Sequence, residues 1–169
     1  PVVDGGIVGP PPREPGTTRL FLSGPDESSV EVVAGTFADT NVGCIVLDDR
    51  IGAASALKMT YAAWTKGTAA LLLTIAAAAE AHGVADALAD EWERSQPGLA
   101  ARLAATAPRT APKAWRWKGE MEEIAATLAQ FGLPAGFHLA SSEVWRRLSE
   151  FRDEDTPDVE TVLARLREG

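Results

Sequence analysis

One cysteine, one tyrosine and two histidines are few for 169 residues, and each shortage closes off a kind of chemistry. Cys44 cannot form an intramolecular disulfide; it sits in the apolar run "NVGCIVLDD", where a small thiol belongs in a core, and a reducing cytoplasm is the expected location. His82 lies at the end of an alanine-rich stretch and His138 follows "PAGF"; with no CxxC, HExxH or paired-histidine spacing, no metal centre is expected. No GxSxG elbow supports serine hydrolysis, and no GxGxxG fingerprint is present to hold a dinucleotide. Basic residues are outnumbered, 16 against 24, and the net charge of −8 disfavours nucleic acid and anionic membrane surfaces as partners. The longest apolar run, "GTAALLLTIAAAAEAHG", is mostly alanine and shorter than the ~20 residues of a membrane span. It reads as a buried helix. "PVVDGGIVG" at the start has no Met, basic n-region or apolar h-region, so a signal peptide is not expected and the chain reads like the middle of something.

What is present divides near residue 50. "PVVDGGIVG", "TTRLFLSG" and "NVGCIVLDD" are short runs of β-branched, aliphatic or aromatic residues bounded by Gly and Pro, the signature of strands. Between the last two, Val30, Val33 and Phe37 recur at helical spacing after an Asp/Ser start. Residues 1–50 therefore predict β, β, α, β, a small sheet that is the tail of a larger α/β domain. From Gly52 onward helix dominates. Residues 53–81 lack Pro, contain a single Gly67 and predict one long helix closed by Gly83. "VADALADEWERS" and "GLAARLAATA" predict shorter helices, and "TAPRTAPKA" a linker. Met121, Ile124, Leu128 and Phe131 mark a further helix ending at Gly132 and Pro134, and "SSEVWRRLSEF" another. After the acidic break "RDEDTPD", Thr156 as N-cap and Pro157 as first helical residue predict a last helix carrying Val159, Val162, Leu163 and Leu166 on its apolar side.

"GAASALKMTYAAWTKG" sets one lysine, Lys58, among small and aromatic residues. Ser55, Lys58, Ala62 and Thr65 share a helix face, and Tyr61 lies three residues beyond the lysine, so hydroxyls, an amine and a phenol line one side. Such a face suits a cleft; a lysine extending its ammonium to solvent explains the spacing equally well. "DGGIVGPPPREPGTTR" offers a glycine-rich close approach through Gly5, Gly6 and Gly9, with Arg13 and Arg19 either facing an anion or lying on the surface of a rigid turn.

In this order, "VVDGGIVGPPP", "GTTRLFLSG", "GAASALKMTYAAWTKGTAALL" and "RWKGEMEEIAATLAQFGLP" resemble the C-terminal part of the 6-phosphogluconate dehydrogenase and β-hydroxyacid dehydrogenase superfamily, in its branch of predicted NAD(P)-dependent oxidoreductases. The resemblance runs over nearly all of the chain. It implies a mainly α fold: an all-helical dimerisation domain over residues 51–169, entered by a long interdomain helix, and preceded at 1–50 by the last strands of an incomplete Rossmann domain. "DGGIVG" is similar to the family's substrate segment D-A-P-V-S-G-G, which assigns substrate contacts to Gly6, Val8 and Gly9, with Val8 in the serine's place. Gly52, Ala54 and Lys58 match G-x-G-x-x-x-K, making Lys58 the counterpart of the catalytic lysine. Tyr61 and Ala62 stand where 6-phosphogluconate dehydrogenases have His and Asn. Ser55 and Thr65 join the substrate-binding face, and Lys118 in "KGEM" is the nearest counterpart of the lysine that approaches the cofactor.

The resemblance thus implies a chain that works as part of a full-length, dimeric, NAD- or NADP-dependent enzyme acting on a small hydroxy-acid-like or carbonyl substrate, and that is inactive alone. Lys58, desolvated beside the nicotinamide, would exchange a proton with the substrate oxygen, with Tyr61 donating a hydrogen bond. Two other readings compete: a non-catalytic helical dimerisation module, and an imine-reductase-like relative, against which Lys58 speaks because those enzymes generally replace the lysine.

Overall fold

The computed structural model describes residues 1–152 and 156–168. They form two compact units divided inside the longest helix, residues 1–62 and the residues from Ala63 onward.

The first unit is built on β1 (Asp4–Val8), β2 (Thr18–Ser23) and β3 (Val42–Val46) in the order β1-β2-β3. β1 and β2 are antiparallel with Asp4 opposite Ser23 and Gly6 opposite Phe21; β2 and β3 are parallel, joined through helix α1 (Glu27–Gly35). The two-residue side-chain period sorts the strands into two faces. Leu20 and Leu22 close on Val30 of α1, with Val33, Phe37 and Cys44 partly buried around them. The opposite face carries Asp4, Gly6, Val8 and Ser23, and the first turns of α2 (Ala53–Ala81) lie there.

The second unit holds the rest of α2 with α3 (Ala85–Ser95), α4 (Leu99–Thr110), α5 (Ala114–Gln130), α6 (Gly136–Arg147) and α7 (Val159–Glu168). The expected mainly helical fold behind a small sheet is the observed one, and α2 runs over the predicted residues. Gly83 ends it at φ +67°, in a left-handed conformation that lets the Val84 amide reach back to the Ala79 carbonyl. Length and composition alone would let α2 cross a membrane; half of its most apolar stretch is buried inside the protein, as for a core helix.

Two sequence expectations change. "TAPRTAPKA" is not a linker: α4 continues through Pro108 to Thr110, a 3-10 turn spans Ala111–Lys113, and α5 starts at Ala114. Ala107, Ala111 and Ala114 are completely buried. They repeat at helical spacing, and burying that stripe outweighs the proline that interrupts one backbone hydrogen bond. Pro112 sits at the start of its turn, where the missing N–H costs nothing. In α7 the cap is Asp158 rather than Thr156: its carboxylate accepts from the Thr161 amide at 2.7 Å, and its carbonyl accepts from Val162. Residues 153–155 of the acidic break before it lie outside the described residues.

α5 and α6 pair closely around Met121, Ile124 and Trp145, all essentially without solvent exposure. Trp145 meets Trp117 edge to face at 4.9 Å, an arrangement that suits the charge distribution of two aromatic rings. Among the described residues the Trp145 Nε1–H has no hydrogen-bond partner. Trp145→Ala is therefore expected to lower unfolding free energy by about 3–5 kcal/mol. Trp145→Phe keeps an aromatic body and discards the unpaired donor, so it should cost much less; equal losses for the two variants in urea titrations would rule this account out.

Candidate functional site around the start of helix α2

The first amides of any helix lack partners within it, and here the sheet supplies them. Asp4 Oδ2 accepts from the Ser55 amide at 2.9 Å, and Asp4 Oδ1 accepts from Ser55 Oγ at 2.5 Å. Ser23, paired with Asp4 across the β1–β2 ladder, accepts from the Ala54 amide at 3.1 Å and donates to Asp4 Oδ2 at 3.4 Å. Burial pushes the Asp4 carboxyl up, but the hydrogen bonds from the Ser55 side chain and amide, Ser23 and Ala54 together hold it below its ordinary 3.8. The positive end of α2 is thus already occupied by a carboxylate from its own chain, which leaves it unsuited to binding a second anion.

Gly6 lets the helix come this close. A Cβ at position 6 would lie 2.5 Å from the Ala54 carbonyl oxygen and 3.2 Å from Lys58 Cβ. Lys58 consequently leaves the helix directly above β1. It is exposed, so the residues of this unit do not themselves provide the desolvation expected for it.

The other expected site residues separate into groups. Ser55 stands beside Lys58 but spends its hydroxyl on Asp4. Tyr61 is 49% exposed, one turn beyond Lys58. Val8, in the place of a substrate-binding serine, is 5% exposed: its alternation along β1 turns it into the interior. Gly9 belongs to the turn after β1, with φ +122° and the Thr17 carbonyl where a side chain would go. Thr65 is half-buried in the second unit, where its carbonyl accepts from Thr68 Oγ1 at 3.4 Å. Lys118, also in the second unit, is half-exposed on α5, 4.0 Å from Glu122 one turn on.

Sequence reasoning gave Asp4 no role and passed over Ser23, because their partnership with α2 depends on the β1–β2 register. It also missed Lys66, which pairs with Glu120 of α5 while its ammonium lies 5.2 Å from the centre of the Trp117 ring. The available signal was the repeat of eight between Lys58 and Lys66, two helical turns. His138, which has no metal-like neighbour in the sequence, places its Nε2 3.3 Å from the Ala63 carbonyl, over Gly67. Among the described residues no three His, Cys, Asp or Glu side chains gather as metal ligands.

Residues 79–148 match the family model described as a domain of unknown function, DUF1932. A conserved hypothetical protein from Sinorhizobium meliloti 1021 has the same fold, with a TM-score of 0.76 at 24% identity over 98% of this chain and 56% of its own. So does MTH1747, a conserved protein of unknown function reported as structurally similar to 3-hydroxyacid dehydrogenases, with a TM-score of 0.69 at 23% identity over 88% of this chain and 56% of its own. The chain spans a little over half the length of these two structures. A reductive aminase from Aspergillus terreus, in complex with NADPH and ethyl levulinate, aligns at 18% identity over 96% of this chain and 59% of its own with a TM-score of 0.38, too low to carry an argument. No curated protein sequence matches the chain.

Since the Ala54 carbonyl cannot retreat without shifting the helix backbone, Gly6→Ala is expected to destabilise the protein by about 1–3 kcal/mol. Gly5→Ala is the control, because its added methyl would meet Leu20 and Leu22 methyl groups at 3.5 and 3.7 Å and the Phe21 carbonyl oxygen at 4.0 Å, all ordinary contacts. Denaturation midpoints that fall equally in the two variants would refute the close-approach role of Gly6.

Proposed function

We propose that this chain is the C-terminal part of an NAD(P)-dependent oxidoreductase acting on a small hydroxy-acid-like or carbonyl substrate, with Lys58 as general acid/base. The observation that carries the reading is the placement of Lys58: an exposed amine held by a rigid first turn over a strand glycine, in a fold shared with a protein reported as similar to 3-hydroxyacid dehydrogenases. The bound nicotinamide would supply or accept the hydride. Lys58 would give a proton to the oxygen of the reacting carbon, or take one from it, while Tyr61 donates a hydrogen bond to the same oxygen. Ser55 serves by holding the turn. The chain has no glycine-rich phosphate loop, and its best-placed helix N-terminus is filled by Asp4 and Ser23; the nucleotide's phosphates are therefore assigned to residues outside these 169, and Lys118 is kept as the counterpart of the family's cofactor lysine.

The test is NAD(P)H oxidation by the intact protein against a panel of small keto and hydroxy acids. Lys58→Met is expected to reduce turnover by about 10²–10⁴-fold, the usual contribution of a positioned proton-transfer group, with its circular dichroism unchanged. Unchanged turnover would remove Lys58 from the chemistry; absence of any NAD(P)H binding would favour the non-catalytic helical module.

The same reading makes the protein a homodimer through its helical unit. A groove of about 450 Å³ is lined by Ala70, Ala77 and Ala78 of α2 with Phe137 and Val144 of α6. Leu71, which also lines it, and Ile75 of the same helix are 45% and 43% exposed. An apolar hollow between α2 and α6 next to exposed apolar side chains offers the self-complementary face that a two-fold interface requires. Leu71→Glu is expected to convert a dimer to a monomer in sedimentation velocity, and a wild-type protein that sediments as a monomer would count against the interface.

A further inference from the structure

We infer that Asp4 is a positioning residue for Lys58: its carboxylate fixes the first turn of α2, and with it the place from which the lysine reaches its target. The inference rests on the role proposed for Lys58. Helix ends ordinarily fray, and an amine in the second turn of a frayed helix would wander by more than proton transfer tolerates. Here the carboxylate uses both oxygens on Ser55, one on the amide and one on the hydroxyl, so it constrains the rotation of the turn as well as its position along the axis. Ser23 fixes the adjacent Ala54 amide and is itself hydrogen-bonded to Asp4, which ties the helix start to two paired strands. Asp4 and Gly6 share a face of β1, two residues apart. Ser55 and Lys58 share a face of α2, three residues apart. Asp4 thus holds Ser55 just where Gly6 admits the turn that carries Lys58.

A residue that only capped the helix would change stability and nothing else. The experiment is competitive trace labelling of the intact protein's amines with acetic anhydride, each lysine quantified by mass spectrometry across a pH series. Asp4→Ala is expected to change the labelling rate of Lys58 relative to Lys66 by about threefold or more, as a loss of local placement would. Asp4→Asn, which keeps an acceptor for the Ser55 amide, should fall between the two, and Ser55→Ala gives a milder variant should Asp4→Ala fail to fold. The carboxyl of Asp4 is lowered in the folded protein, so its stabilisation is complete above its ordinary 3.8 and is lost as the pH falls through the depressed value. The stability difference between wild type and Asp4→Asn should therefore close at pH below 3.8. Folded variants in which Lys58 labels as in the wild type, while only the melting temperature falls, would overturn the inference. The labelling result is independent of turnover, so an inactive role for Lys58 and a non-positioning Asp4 would be told apart.

Discussion

The first unit depends on satisfying the amides at the start of α2. A helix of 29 residues that begins against a three-stranded sheet brings unpaired N–H groups up to it; that of Ala54 is buried, and leaving it without an acceptor would cost about 1–3 kcal/mol. The sheet answers with one carboxylate and one hydroxyl from adjacent strands, Asp4 and Ser23, whose cross-strand pairing presents them together. Other features follow from this. Gly6 has no side chain because the anchored turn passes too close for one, and Val8 turns inward because it shares the alternation that aims Asp4 at the helix.

This explains which parts of the structure could be read from the sequence. Strands, long helix and C-terminal helices announce themselves locally: the β-branched, aliphatic and aromatic run bounded by glycine in "TTRLFLSG", the proline-free run from Ala53 to Ala81, and the stop signals at Gly83 and Gly132. These are local properties, carried by neighbouring residues. The Asp4–Ser55 bond joins residues 51 apart, and nothing within either local window indicates that they meet. The helical link from α4 to α5 was obscured for another reason. Prolines are strong local punctuation, whereas the buried alanines at 107, 111 and 114 are individually unremarkable and gain force only when their spacing is counted across the prolines.

Within the second unit alanine does similar work on a larger scale. Ala69, Ala70, Ala76, Ala77 and Ala79 are buried along α2, and side chains this small allow helices to approach closely while contributing little apolar area each. Larger groups must then supply the bulk of the core, and Trp145, Met121, Ile124 and Leu148 do so around α5 and α6. The charged pairs are arranged differently. Glu143 takes hydrogen bonds from Arg146 and then Arg147, which hold its carboxyl down at about 2, yet the Glu143–Arg146 pair is open to solvent and contributes little to stability. Lys66 and Glu120 are more enclosed, and with Trp117 beneath the ammonium they join α2 to α5 by a contact that loses much more if one partner is removed.

Lys58 differs from Lys66 in this respect. Lys66 has a carboxylate and an aromatic face assigned to its charge; Lys58 has a backbone held rigidly and an ammonium left exposed. If the fold required only a solvated lysine, the two hydrogen bonds that Ser55 donates to Asp4 one turn earlier would have no bearing on it. On the proposed reading they do, because a proton donor is useful in proportion to how little it must be reorganised when the substrate arrives. Anchoring the helix from the strand side leaves the Lys58 side chain exposed, and on the proposed reading a substrate approaches it there and water is excluded when it does. A lysine whose backbone is fixed and whose head is exposed meets the first requirement; the residues of the first unit do not supply the second.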